Sequence, residues 1–282
     1  MKKKILFFLI SCIVTVLIGC DDKYLTTEPT DRISSDNFWK KEEDGILAVN
    51  ASYTGLDVFR LFSFEGCSDN AITAKTWTDC YQVANGSFTS SWPWVTEAWR
   101  DAYTGIGRAN NVVQNIDRIT DMDPVLQKRL KAEARVMRAF LYNILINLYG
   151  DVPLITEPVE IIDDAKKVRE SKEKVFDFIV KELDLAIPDL PPGYGQSDIG
   201  RITKGAAYAL KARACLWQGH FKEARDAAKA VIDLGTYQLL PDYSKLFTYS
   251  TENNIEVILD DQYMPINRTH NSFQQLGPRS SE

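Results

Sequence analysis

Two long stretches with helical spacing of apolar residues stand only four residues apart, and that closeness leaves few folds open. In the first, about 95–119, Trp99, Tyr103, Ile106, Val113 and Ile116 recur at separations of three, four and seven. The second, about 124–149, carries Leu126, Leu130, Met137, Phe140, Leu141, Ile144 and Leu148 on one stripe. Both patterns predict amphipathic helices. Pro124 falls in the first turn of the second, where a missing N–H costs nothing. With Thr120-Asp121-Met122-Asp123 as the whole connection, the two helices must turn back on one another as a hairpin.

A second hairpin is written into KGAAYALKARACLWQGHFKEARDAAKAVIDLG, read as a helix over 204–218, a turn at 218–220, a helix over 221–234 and Gly235 as terminator. Ala206, Ala207, Ala209, Ala212 and Ala214 leave room for a partner helix to come close. The spacing of Gly219, Phe221 and Ala224 is similar to the tetratricopeptide pattern. Further helices are predicted over about 40–56 and 171–187, the latter ending before PDLPPGYG, which cannot continue a helix. IEVILDDQY (255–263) reads as a strand or extended segment. The expected fold is therefore mostly α, a tetratricopeptide-like scaffold of helical hairpins with long irregular aromatic-rich loops and little β.

Between 57 and 95 the periodicity fails, yet the segment carries Phe59, Phe62, Phe64, Trp77, Tyr81, Phe88, Trp92 and Trp94. Long irregular segments in compact domains are functional or disordered, and so many aromatics argue against disorder.

The chain opens MKKKILFFLISCIVTVLIGC. Three lysines precede an apolar run of 15 residues, Ile5–Gly19, too short for a comfortable span of about 20 residues and suited to a secretory signal. Leu17-Ile18-Gly19-Cys20 resembles a bacterial lipobox, which implies cleavage before Cys20 and acylation of that residue. Multiple acyl chains hold a domain to a bilayer without a protein span. Residues 1–19 are thus read as signal peptide, 20–36 as a polar tether and 37–282 as the helical domain.

Loss of residues 1–19, whose only charges are Lys2, Lys3 and Lys4, takes the formal net charge from −6 to −9. An acidic protein is a poor partner for nucleic acid. Of five cysteines, Cys12 leaves with the signal and Cys20 is the lipid site. Cys67 and Cys80 lie in one loop-rich region and could form a disulfide, whereas Cys215 sits on an apolar helix face as a small buried hydrophobe. With only His220 and His270 and no CxxC pair, a zinc site or a histidine-based triad has almost nothing to be built from. Asp260-Asp261 could be paired carboxylates, but adjacent residues on a strand point to opposite faces. No enzyme, cofactor or metal is expected.

Several segments in order resemble the SusD/RagB family of outer-membrane nutrient-binding lipoproteins: the lipobox, WRDAYTGIGRANNVVQNI, AEARVMRAFLYNILINLYGDVPLI, the 200–247 stretch and NNIEVILDDQY. The resemblance covers about 20–263. The family is typically about twice this length, so the chain reads as its N-terminal half, truncated at its C-terminus. It implies a non-catalytic, cell-surface protein of the outer membrane that binds glycan or peptide and closes over a SusC-like TonB-dependent transporter. Asp21-Asp22 after Cys20 is similar to the export tags of such lipoproteins.

A glycan site wants flat aromatic platforms beside planar polar groups. Trp77, Tyr81, Trp92 and Trp94 suit the first role and Asp69, Asn70 and Asn85 the second; alternatively the aromatics pin the segment to the scaffold. Trp99 and Tyr103 read as core, Arg108, Arg135 and Arg138 as partners of Glu97, Glu133 or other carboxylates, and His220 as an exposed turn residue. The competing reading of the whole chain is a tetratricopeptide-type adaptor that binds peptide.

Overall fold

The computed structural model describes residues 38–58, 66–69 and 79–263. The signal peptide, the tether and Cys20 lie outside them, as do Asn70 and Trp77. The chain divides into two compact units, Met1–Lys40 and Lys41–Glu282. In the described end of the first, the Phe38 and Trp39 rings meet edge to face at 5.0 Å.

The second unit is helical. Its elements are α1 (Glu42–Tyr53), followed by a 3-10 turn over Thr54–Val58, α2 (Asp79–Ala84), α3 (Pro93–Asn115), α4 (Pro124–Tyr149), α5 (Lys172–Ala186), α6 (Lys204–Trp217) and α7 (Phe221–Asp233). Among the described residues the one sheet has two short antiparallel strands, β1 (Val152–Pro153) and β2 (Arg169–Glu170), paired Val152 to Glu170 and Pro153 to Arg169. They close the base of the link between α4 and α5.

Local chemistry sets the helix ends. The Asp123 carboxylate accepts from Val125 N–H at 3.0 Å, Pro124 takes the first helical position, and Gly150 stops α4. Ser171 caps α5 and Thr203 caps α6 in the same way, the latter accepting from Ala206 N–H at 3.1 Å. Gly235 follows α7 with φ +64°, a left-handed conformation that glycine adopts without steric cost. Gly205 is required for a different reason: a Cβ there would overlap the Tyr237 ring, which bonds the Thr203 hydroxyl at 2.7 Å.

Helix α4 is the axis of the fold. The periodicity shows one stripe, but residues 132–146 are buried on most sides because α1, α3 and α5 all pack against this helix. Leu141, Tyr142, Leu145 and Ile146 meet Val175, Ile179 and Leu183 of α5 and, through Ala206 and Ala207, α6. Each large side chain so buried contributes about 1.5–3 kcal/mol. Leu148, expected on the same stripe, is instead 37% exposed. Trp99 and Tyr103 pack on this core as expected: their rings lie 5.0 Å apart, Trp99 meets Tyr149 at 5.1 Å, and the Tyr103 hydroxyl donates to Pro153 O at 2.7 Å. Cys215 is buried, and burial pushes its thiol up, away from the reactive thiolate.

Three expectations need correction. The 255–263 segment forms no strand; it meets the preceding chain through isolated bonds, Gln238 N–H to Ile255 O at 3.1 Å and Leu240 N–H to the Glu256 carboxylate at 2.9 Å, and through Ile258 and Leu259, which pack on the core. A strand needs a partner that supplies a ladder, and none of the described elements does. The strand-alternation argument against Asp260-Asp261 therefore falls away; Asp260 instead accepts from Gln262 Nε2 at 2.6 Å. Arg108 bonds the Thr54 hydroxyl and not a carboxylate, whereas Arg135 and Arg138 do pair with a carboxylate, that of Glu182 in α5.

Candidate functional site

The aromatic segment enters the described residues at α2. Asn85 N–H donates to Tyr81 O at 3.1 Å, and the Asn85 side-chain oxygen accepts from Ser87 N–H at 2.9 Å, with Gly86 at φ +70° between them. This is an Asx-type turn, so the Asn85 carbonyl is committed to shaping the loop. Tyr81 is half-buried and Asn85 exposed. Phe88 follows, 42% exposed.

Trp92 then caps α3 with extended backbone, and Pro93 begins the helix. Trp92 and Trp94 are both half-buried. The Trp94 ring packs with Ala98, Ile144, Phe140 and Tyr149, and the Tyr149 hydroxyl donates to Val95 O at 2.6 Å. Trp94 thus ties the segment to α4, the scaffold-pinning role that stood as the alternative for these aromatics. Asp69 is exposed in a short turn over 66–69. Trp77, Asn70 and Cys20 lie outside the described residues, as does the Cys80 side chain that a bond to Cys67 would need.

Away from this segment, a cleft of about 200 Å³ lies between the 192–203 loop and the chain after α7, walled by Tyr194, Arg201, Tyr237, Asn253, Ile255 and Leu259 among others. It is smaller than the roughly 300–1,000 Å³ typical of small-molecule pockets. Its polar walls are already engaged. The Arg201 guanidinium bonds Asp198 at 2.7 Å, Glu133 at 3.0 Å and Asn50 at 3.0 Å. Tyr194 shares its hydroxyl between Glu133 (3.3 Å) and Ile202 O (3.0 Å), with Arg129 over its ring at 5.3 Å.

Behind the cleft, Glu133 is fully buried and accepts from Tyr53 at 2.8 Å as well as from Arg201. This hub joins α1, α4 and the 194–203 loop. The sequence reading missed this hub, because Arg201 and Tyr53 are remote from Glu133 in the chain and no spacing rule connects them. Burial pushes the Glu133 carboxyl above its usual range, opposed by Arg201, the Tyr53 hydroxyl and Arg129. Folding therefore takes up a proton: the stabilisation is complete below the ordinary value of 4.5 and is lost as pH rises through the raised folded value. Wild type should lose stability relative to Glu133→Gln, which cannot ionise, in that window. Urea denaturation of both proteins between about pH 4 and about pH 8 checks this, and a stability difference that does not change with pH would contradict it.

Among the described residues no group of three or more His, Cys, Asp or Glu side chains could hold a metal ion. None of the described helices is long and apolar enough to cross a membrane.

Comparison with known proteins points in one direction. A SusD-like family model, described as starch-binding and associating with the outer membrane, matches residues 18–216. A SusD-like protein of Bacteroides ovatus is 27% identical over 285 residues, covering 94% of this chain and 50% of the relative. The crystal structure of a SusD-like protein from Bacteroides fragilis is similar with TM-score 0.75 and 29% identity, covering 85% of this chain and 48% of that one. A laminarin-binding SusD-like protein is similar with TM-score 0.72 and 28% identity, over 78% and 51% of the two chains. The chain spans about half the length of the first curated relatives it matches.

Proposed function

This chain belongs to the SusD-like family, and on that premise we propose that it is a surface lipoprotein that binds glycan without altering it. The observation that carries this reading is the likeness, at 28% identity, to a laminarin-binding SusD-like protein. The family description, starch-binding and associated with the outer membrane, supports it. Cys20 is the lipid attachment site, and residues 1–19 are removed at export. The working partner is a SusC-like TonB-dependent transporter, to which captured ligand is handed without covalent chemistry.

In this reading sugar rings lie on the aromatic segment. Trp92 is the described residue best placed for it, half-buried at the start of a rigid helix, where a large flat ring offers contact area with few torsions to freeze. Trp77 and Tyr81 are the further platforms, and Asp69, Asn70 and Asn85 the polar neighbours. Trp94 contributes by holding α3 in place. Trp92→Ala is expected to weaken glycan binding about tenfold or more, ~1.4 kcal/mol, in isothermal titration. Trp94→Ala should lower thermal stability as well as affinity. Unchanged affinity in Trp92→Ala would remove this residue from the site. The peptide-adaptor reading gains support if glycans fail and peptides bind.

A further inference from the structure

Trp217, the last residue of α6, is the one tryptophan among the described residues that is more than half exposed, at 52%. A lone exposed ring needs no explanation, but this one has planar polar side chains around it. The Arg213 guanidinium, one turn back, lies 6.0 Å from the ring centre and has no carboxylate partner among the described residues. Next in the chain, Gln218 donates through Nε2 to Asn147 Oδ1 at 3.1 Å, and Asn147 Nδ2 donates in turn to Asn143 O. The Gln218 side-chain oxygen accepts from no described residue.

The bond from Gln218 to Asn147 brings the tail of α6 to the tail of α4. The head of α3 lies at the same end, because Trp94 packs on Ile144 and the Tyr149 hydroxyl bonds Val95 O. Ile144 and Asn147 are three residues apart on α4, so they stand on adjoining sides of its last turns. Trp92 at the start of α3 and Trp217 at the end of α6 therefore belong to one end of the bundle. With neighbouring helix axes about 8–10 Å apart, the two rings are separated by on the order of 10–20 Å. No spacing in the chain connects them.

We propose that Trp217, with Arg213 and Gln218, is a second glycan platform, on which lies a more distant part of the same polysaccharide chain that rests on Trp92. The inference rests on the glycan-capture reading and adds the form of the ligand: an extended chain that bridges α3 and α6, not a single sugar. The indole takes the apolar face of a sugar ring. A guanidinium supplies donors only and the Gln218 oxygen an acceptor, so together they meet hydroxyl groups in both of their roles. Two weak platforms on one chain hold it more firmly than either does alone, since the second contact forms within a complex already made.

The test is isothermal titration of the full chain with a panel of polysaccharides that includes laminarin and starch, in wild type, Trp217→Ala and Trp92→Ala. Wild type is expected to bind at least one of them. Trp217→Ala should bind that polysaccharide about fivefold more weakly while keeping its helical circular dichroism and its melting temperature. If Trp217→Ala does not fold, Arg213→Gln, which keeps every ring, should weaken the same binding about threefold. Wild-type affinity in Trp217→Ala, beside weakened binding in Trp92→Ala, overturns this inference alone and leaves the capture reading standing. Binding of no polysaccharide by wild type overturns both. Loss of peptide binding in Trp217→Ala with glycan binding intact also overturns the inference, and makes the end of α6 a peptide site.

Discussion

Glu182→Ala should destabilise this protein by about 3–5 kcal/mol, because it strands a buried arginine without its counter-charge. Arg138 and Glu182 are both buried and joined through two guanidinium nitrogens, Nε at 3.1 Å and Nη2 closer still. Arg135 bonds the other carboxylate oxygen at 2.7 Å. Arg138 also donates to Asn110 Oδ1 at 2.8 Å and Thr156 O at 3.1 Å, while Asn110 Nδ2 donates to Ile155 O and Glu157 O at 3.0 and 3.1 Å. One charged pair therefore fixes α3, α4, α5 and the link after β1. Removing both partners together should cost much less than removing Glu182 alone, since desolvating an ion pair offsets most of what its attraction returns. Urea denaturation of Glu182→Ala and of Glu182→Leu with Arg138→Met measures the difference. Equal losses in the two variants would show that packing volume, not the stranded charge, sets the effect.

Tyr142→Ala is expected to cost a similar ~3–5 kcal/mol, through a cavity where the core has no slack. Tyr142 is fully buried, meets Tyr103 at 6.4 Å and Phe178 at 5.6 Å edge to face, and has Phe178 itself under the Arg138 guanidinium at 5.2 Å. Its hydroxyl donates to Ile155 O at 2.8 Å and accepts from Ile155 N–H at 2.7 Å. Tyr142→Phe keeps the ring and leaves the Ile155 N–H without its partner, while Ile155 O retains Asn110 Nδ2 at 3.0 Å, so a smaller loss of about 1–3 kcal/mol is expected. Thermal or urea melts of the pair separate ring from hydroxyl. A Phe variant as damaged as the Ala variant would place the whole effect on the link over 151–157.

These two sites mark what could and could not be read from the residues. The bounds of α4 were legible at both ends because Asp123, Pro124 and Gly150 act locally. The α6–α7 hairpin was legible for the same reason, from Thr203 through Gly219 to Gly235. The charged hubs were not. Arg138 and Glu182 are 44 positions apart and Arg201 and Glu133 are 68 apart, and a helical pattern assigns such residues to a polar face when three neighbours bury it. The strand half of the reading of 255–263 failed for the opposite reason: Ile255, Val257 and Ile258 are β-branched and favour a pleated surface, but strand propensity is realised only beside a paired edge. Of the aromatic segment, composition showed the load of aromatics and not where each ring packs, since the contact of Trp94 with Ala98 and Ile144 joins residues up to 50 positions apart.

Affinity electrophoresis of the full chain through gels cast with laminarin, starch and other polysaccharides tests the glycan-capture account most directly. Retardation by at least one polysaccharide, relieved when the same soluble oligosaccharide is added, is the expected result. Migration unaltered by every glycan, together with saturable binding of a peptide, would contradict it.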